Sequence, residues 1–163
     1  MLNRLVRRVA PSVRRIVPSL VSPEMVESSA VRLCWEDNGG HLFDAHDLSD
    51  GTLRAIALIA ALTQPCSKNP KVIVIDEPEL GLHPSAISVL GGLIRSASAF
   101  SQIIIATQWA AFLDEFSPEE VIVTELADRE TRFRRLASED LNDWLEDYTL
   151  SQLYDKNVLG GRP

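Results

Sequence analysis

The sequence predicts an α/β fold in which a mainly parallel sheet is flanked by helices. Two aliphatic runs, Val72–Ile75 and Gln102–Ala106, have the length and composition of strands buried on both faces of a parallel sheet. Thr52–Leu62 is apolar almost all round and predicts a buried helix, and Pro84–Phe100 is a helical stretch whose proline suits a first turn. Because helices and strands alternate through the middle of the chain, we expect parallel strands with helices on their faces.

The elements before this region are expected to be a helix, an irregular segment and a hairpin. Residues 2–10 have a helical pattern, whereas the three prolines within residues 11–28 predict irregular chain with about one helical turn. Ala30–Glu36 alternates like a strand, and an Asn-Gly-Gly turn at residues 38–40 lets His41–Phe43 return as a second strand.

The elements after it are expected to be short. They are a helix over Trp109–Phe116, a strand over Val121–Glu125, a more polar edge strand over Thr131–Leu136, a helix from Ser138 to about Tyr148 and a last helix over about Leu150–Lys156.

Length and composition fit a single globular domain with a real core. The chain has 163 residues, of which 45% are hydrophobic, and no apolar run approaches the length of a membrane span. Cys34 and Cys66 have no metal or redox spacing, so a reducing cytoplasm is the expected location.

Charge is unevenly distributed along the chain. The first twenty residues contain five arginines and no acid and so carry +5, and since the net charge of the chain is −7, the remaining residues carry −12. An acidic body of this kind argues against broad DNA binding by this chain alone. The arginine-rich start is interpreted as the solvated face of a helix, with a nucleic-acid or membrane-surface patch and an organelle-targeting segment as alternatives.

Two adjacent acids follow the first aliphatic strand. Asp76 and Glu77 come directly after it and Pro78 ends it, so both acids are expected at the carboxyl end of a central strand, where open α/β sheets bind ligands. Adjacent half-buried acids need partners, and Mg²⁺ with a polarised water supplies them. We therefore assign Asp76 to Mg²⁺ and Glu77 to an attacking water. The alternative is that the pair caps a strand and faces solvent.

The start of the Thr52–Leu62 helix is a candidate phosphate site. Ser49 is placed to cap the helix, and Gly51 lets backbone N–H groups approach a ligand closely. Taken alone, a Ser-x-Gly helix start is usually only structural. Its position in the chain favours a functional interpretation, because the aliphatic-Asp-Glu-Pro strand follows about one helix later.

With these motifs in this order, the chain from about residue 30 to its end resembles the carboxy-terminal half of an ABC-type ATPase domain. The similarity is to the branch of predicted AAA-family ATPases that includes SMC-like, RecF-like and OLD-like proteins. The matching segments are Leu48–Arg54 for the signature motif, Ile73–Pro78 for Walker B, Glu79–Pro84 for the D-loop and Thr107-Gln108 for the switch histidine position. The resemblance implies a partial P-loop NTPase lobe over 30–163, preceded by an arginine- and proline-rich lead-in over 1–29.

The resemblance also implies roles for the catalytic residues. Asp76 would hold Mg²⁺ through water, and Glu77 would orient and deprotonate the attacking water, a role worth about 10²–10⁴-fold in rate. Gln108, which replaces the usual histidine, would hydrogen-bond the γ-phosphate or the water. Trp109 beside it is expected to be a packed tryptophan rather than a base-stacking one.

Further residues would bind nucleotide across a dimer. Such domains form head-to-tail dimers with ATP between them, so Ser49, Asp50 and Gly51 would bind the γ-phosphate of nucleotide held by the other subunit. Glu79 and His83 would lie at the same interface, although His83 also suits a plain helix start.

One part of the family pattern is missing. No Gly-x-x-x-x-Gly-Lys-[Ser/Thr] occurs, and none of the three lysines follows a glycine. We therefore expect a fragment, a truncated reading frame or one part of a split protein, with an exposed sheet edge and apolar face. The implied partners are ATP and either a second copy or a protein carrying the Walker A half, with an indirect link to nucleic acid through the family and no membrane.

One alternative to the expected function is consistent with the sequence, and a third function is disfavoured. The expected function is ATP binding and hydrolysis with Mg²⁺, once a P-loop is supplied. The lobe is alternatively a non-catalytic interaction or regulatory module. A nuclease of the OLD-like kind is disfavoured, because residues 126–163 are too short for its additional metal domain and contain no Asp-x-Asp pair.

Overall fold

The computed structural model describes residues 1–20, 31–65 and 70–161. The chain forms two compact units, Met1–Ala106 and Thr107–Pro163. Cys66 and the predicted domain boundary between residues 29 and 30 lie outside the described residues, and the boundary stays a prediction.

The first unit begins with a helix and a three-stranded antiparallel sheet. Helix α1 is Leu2–Val9, and strands β1 (Val13–Leu20), β2 (Val31–Asp37) and β3 (Leu42–Asp44) lie side by side in that order. The irregular chain predicted from residue 11 onward is wrong over β1. This strand is at the edge of its sheet, where Pro18 costs no hydrogen bond to a further strand.

Two long helices and a parallel strand pair complete the first unit. Helix α2 is Asp50–Leu62 and α3 is Pro84–Ser98, while β4 (Val72–Asp76) and β5 (Gln102–Ala106) pair in parallel from Val72 opposite Gln102 to Asp76 opposite Ala106. Aliphatic side chains form its core, and the buried residues of α2 and α3 include Ile59, Ala86, Leu90, Ile94 and Ala97.

Strand β4 is covered on one face, not on both as the sequence predicted. Ile75 is 7% exposed, whereas Val74 is 72% and Val72 47% exposed, and Ile104 opposite Val74 is 49% exposed. Alternate residues of a strand point to opposite faces, so these three share the open face. Within the described ranges no layer covers that face, which confirms the predicted exposed apolar surface.

The second unit is a hairpin packed on short helices. Helix α4 is Ala110–Leu113, β6 (Ile122–Ala127) and β7 (Glu130–Arg135) pair antiparallel, and α5 (Ser138–Leu145) and α6 (Leu150–Asp155) follow. One cluster forms the core: Val123, Leu136, Leu141, Leu150, Leu153 and Leu159.

The predicted α/β class is confirmed, with more antiparallel pairing than expected. In the residues described, parallel pairing occurs between β4 and β5, and the other pairs are antiparallel. The helix–strand order predicted the parallel pair correctly, because a crossover helix, α3, joins β4 to β5.

Candidate functional site

The two acids lie where β4 ends. Asp76 is the last residue of the strand and is exposed, and Glu77 is half-buried. The N–H of Glu77 donates to the carbonyl of Ala106 at 2.8 Å, so the chain is still tied to β5 as it leaves the sheet. Both carboxylates are therefore at the carboxyl end of the parallel pair, as predicted.

Glu77 has a backbone conformation that its sequence does not signal. Its φ is 44°, in the left-handed region that residues with a side chain rarely adopt. Such strain costs of order 1–3 kcal/mol and tends to collect at functional sites. The left-handed conformation comes directly after the last strand residue, Asp76, where the chain leaves β4.

A tight turn follows the acids and leads into α3. The N–H of Leu80 donates to the carbonyl of Glu77 at 3.1 Å, and the N–H of Leu82 donates to the carbonyl of Glu79 at 2.9 Å. Glu79 is half-buried and His83 is exposed. The carbonyl of His83 accepts from Ala86 in the first turn of α3 at 2.8 Å. We call residues 77–83 the acid turn.

The candidate phosphate site is a capped helix start. Ser49 is the N-cap of α2, and its hydroxyl accepts from the N–H of Thr52 at 3.3 Å and lies 2.9 Å from the Thr52 hydroxyl. Asp50, the first helical residue, is exposed at the positive end of the helix, where an acid is favourable. Ser49 thus performs the capping role expected from the sequence.

Gly51 brings this helix start directly against the acid turn. A Cβ at Gly51 would lie 2.0 Å from the carbonyl oxygen of Gly81 and 2.6 Å from its carbonyl carbon. Gly81 itself has a φ of +79°. Both positions therefore need glycine, Gly51 for close backbone approach and Gly81 for a left-handed turn. The sequence indicated Gly51 as a position of close backbone approach, but not its contact with Gly81.

Gln108 belongs to the second unit. It is exposed and lies two residues after Ala106 in the chain, and the next residue, Trp109, is half-buried and caps α4. The N–H of Trp109 donates to the Thr107 hydroxyl at 3.1 Å. A cleft of about 610 Å³ runs beside them, lined by Gln108, Trp109, Ala110, Ala111, Ser151, Tyr154 and Asp155.

The structure brings most predicted residues of the first unit into one region. The acid pair and the acid turn are continuous, and the α2 start, with Ser49, Asp50 and Gly51, contacts that turn through Gly81. Over the described part of the chain there is no group of three or more His, Cys, Asp or Glu side chains that would enclose a metal. One exposed strand-end carboxylate still suits Mg²⁺, which keeps several waters and uses one or two protein carboxylates.

A family model covers most of this region. Residues 10–114 match the family described as "AAA domain, putative AbiEii toxin, Type IV TA system". The chain belongs to this AAA domain family. No curated protein matches the sequence.

Solved structures show that the AAA domain has the fold of SMC ATPase heads. One, from work on ATP-driven dimerization and DNA-stimulated activation of SMC ATPases, has a TM-score of 0.63 and 16% identity, over 90% of this chain and 87% of that chain. The Smc head domains of Pyrococcus furiosus and Pyrococcus yayanosii have TM-scores of 0.70 and 0.69 and identities of 18% and 20%, each over 90% of this chain.

The chain spans 87% of the SMC ATPase chain from the work on ATP-driven dimerization, but only 36% of the Pyrococcus furiosus chain and 28% of the Pyrococcus yayanosii chain. At these identities the likeness establishes a P-loop NTPase fold of the SMC-head kind. In the described ranges, no helix is both long and apolar enough to cross a membrane.

Proposed function

We propose that this chain is the signature and Walker B portion of an ABC-type ATPase that hydrolyses ATP when another segment or subunit supplies a P-loop. The observation that carries the proposal is the contact of the α2 start with the acid turn. A helix start that binds phosphate and a strand end that bears two acids are separate features in the sequence. Their contact joins the helix start, which would serve the nucleotide of the other subunit, to the turn that follows the acids of this chain's own site, so the two nucleotide sites of a dimer would be linked.

Asp76 and Glu77 have different roles in the proposal. Asp76, exposed at the strand end, would hold Mg²⁺ through water. When bound, Mg²⁺ supplies charge neutralisation at the phosphates. Glu77 would accept a proton from the attacking water. Gln108 would hydrogen-bond the γ-phosphate or the water, since an amide both donates and accepts.

The α2 start would bind nucleotide held by another subunit in a head-to-tail dimer. Its first N–H groups have no helical acceptors and carry the positive end of the helix dipole. Ser49 and Gly51 would present these groups to a γ-phosphate, and Glu79 and His83 in the acid turn would lie at the same interface. We place this assembly in the cytoplasm, because Cys34 and Cys66 show no pairing motif.

The exposed face of β4 and β5 supports the need for a P-loop segment. Val72, Val74 and Ile104 on adjacent strands expose aliphatic surface that a folded protein normally covers. A strand and helix carrying the P-loop would cover this face and bring a phosphate cradle to the end of β4. The same surface also favours the alternative, a non-catalytic lobe that caps a complete relative.

The deciding experiment is reconstitution with a P-loop segment encoded next to this sequence. The assembly is expected to release phosphate from ATP in a Mg²⁺-dependent manner, and Glu77→Gln to lower the rate about 10²–10⁴-fold while nucleotide binding persists. Glu130→Gln, which removes an exposed carboxylate from β7, is the matched control and should leave the rate unchanged. A Glu77→Gln assembly as fast as the parent would exclude the role of Glu77. An assembly that binds the P-loop segment without hydrolysing ATP would favour the non-catalytic module.

A further inference from the structure

Helix α1 presents three arginines on one side. Arg4, Arg7 and Arg8 have the i, i+3, i+4 spacing of neighbours on a helix surface and are exposed, while Leu5 and Val6 on the opposite side are buried. We call Arg4, Arg7 and Arg8 the arginine face. It concentrates positive charge on an exposed side of the helix, where Arg7 Nε donates to the carbonyl of Asn3 at 3.3 Å.

The other two arginines of this segment already share one carboxylate. Arg14 and Arg15 donate to opposite oxygens of Glu36 at 2.7 and 2.6 Å, and Glu36 is 7% exposed. The hydrogen bond from Arg15 is the main reason that the pKa of Glu36 lies below its usual range. The arginine face, in contrast, makes no ion pair with any residue that the structure describes.

Helix α5 carries the complementary charge. Asp140, Asp143 and Asp147 are exposed at i, i+3, i+7 positions, and we call them the acidic face. Asp147 continues the helical spiral, because its N–H donates to the carbonyl of Trp144 at 3.2 Å. Across the described part of the chain these carboxylates form no ion pair. Glu139 and Glu146 add two more exposed acids beside them.

An exposed tryptophan lies beside the acidic face. Trp144 is 44% exposed, and its ring centroid is 6.1 Å from that of Tyr148. A guanidinium is attracted both to carboxylates and to the face of a tryptophan ring. The surface of α5 therefore suits arginine better than it suits a metal ion or a lysine.

We propose that the arginine face of one copy of this chain docks on the acidic face of a second copy. Charge complementarity selects this occupant, because among the residues that the structure describes neither the three arginines nor the three aspartates form an ion pair. The arginines lie on the eight residues of α1, and Asp140 and Asp143 lie on the eight residues of α5, with Asp147 two residues beyond its end. A nucleic acid is a poorer occupant, because the chain has a net charge of −7 and the part beyond the first twenty residues carries −12.

The contact is expected to be weak and strongly salt-dependent. Eight helical residues span only about 12 Å, so this interface is far smaller than the ~1,600 Å² of a stable complex. Each copy carries both faces, so each can contribute one arginine face and one acidic face to the association. Association in the micromolar to millimolar range follows, and it weakens as salt screens the charges.

Mutual charge reversal tests the proposal. One protein carries Arg4→Glu and Arg7→Glu, and the other carries Asp143→Arg and Asp147→Arg. Each alone places like charges opposite each other, so sedimentation is expected to show self-association weakened at least about tenfold. Mixed together, the two proteins regain opposite charges at both contacts and are expected to associate like the parent.

The controls separate this contact from other causes. Arg129→Glu with Lys71→Glu changes the net charge equally through exposed cations elsewhere and should associate like the parent. Circular dichroism checks that each variant is folded. If the glutamates unfold α1, Arg4→Gln with Arg7→Gln removes the two positive charges without reversing them and should also weaken self-association. Aliphatic association through β4 and β5 would persist at about 500 mM salt, so it is distinguished by salt response.

Three results would overturn the proposal. The first is a parent chain that stays monomeric at millimolar concentration in low salt. The second is a mixture of the two reversed proteins that remains dissociated while the parent associates. The third is a duplex DNA that binds the parent and loses binding on arginine reversal, while reversal of the acidic face leaves self-association unchanged.

Discussion

Replacing Gly51 by alanine tests the contact between the helix start and the acid turn. The new Cβ would lie 2.0 Å from the Gly81 carbonyl oxygen and 3.0 Å from the Gly81 Cα. Ordinary contacts need more than 3 Å, so the two backbones must separate by about 1 Å. Overpacking of this kind typically costs about 1–3 kcal/mol, and alanine returns less than about 1 kcal/mol of helix propensity. We expect a net loss of about 1–2 kcal/mol.

Gly92 provides the matched control. It lies inside α3, is exposed, and a Cβ there would meet nothing within 4 Å. Gly92→Ala should therefore stabilise the chain by about 0.5–1 kcal/mol through helix propensity alone. The two glycine-to-alanine changes are predicted to have opposite signs although the chemistry is the same.

Urea denaturation followed by circular dichroism measures both variants. With a slope of about 1–3 kcal/mol/M, the midpoints of the two variants should differ by roughly 1 M. Gly81→Ala should also destabilise, because its φ of +79° disfavours any side chain. If Gly51→Ala were as stable as the parent, the α2 start would not be packed on the acid turn, and the observation behind the proposed function would be lost.

Three further predictions concern burial and pH. Leu153→Ala, at a fully buried position of the second unit, should cost about 2–5 kcal/mol in denaturant unfolding, whereas Leu126→Ala, 78% exposed on β6, should change stability by less than about 0.5 kcal/mol. Val74→Thr on the open face should likewise change the chain's own stability by less than about 0.5 kcal/mol, but it should weaken binding to a P-loop segment. Ile75→Ala on the covered face should cost about 2–5 kcal/mol of stability. Equal losses of stability in the two variants would show that both faces of β4 are covered. The Ser138 side chain holds the pKa of Glu119 at about 2, so this carboxylate stabilises the fold above its ordinary pKa of 4.5, and the contribution is lost as pH falls from 4.5 through about 2. Glu119→Gln should flatten that part of a stability-against-pH curve, and an unchanged curve would show that the Ser138 contact does not form.

Local sequence signals predicted individual elements well where one interaction dominates. The apolar pattern of α2 and the aliphatic runs of β4 and β5 gave their positions to within about two residues, because burial of aliphatic side chains decides both. The same signals failed over β1. Proline there predicted irregular chain, but pairing with β2 from the edge of a sheet outweighed it.

The candidate site was predictable as a set of residues but not as a geometry. Asp76, Glu77 and the α2 start are local motifs that the chain order makes recognisable. The left-handed backbone of Glu77 is not a property of glutamate, since the surrounding turn and its hydrogen bonds impose it. The sequence of β4 likewise did not show which of its faces is covered, because an aliphatic strand has the same pattern whether or not a neighbouring layer packs on it.

The order of amino acids was enough to establish the α/β class, the parallel strand pair and the acids at its end, because each depends on neighbours in the chain and on the alternation of side chains. Contact between Gly51 and Gly81, which are thirty residues apart, required the folded molecule. A glycine in a sequence indicates only that the backbone can adopt more conformations there. Tertiary packing decides that Gly51 at the start of α2 lies against Gly81 in the acid turn.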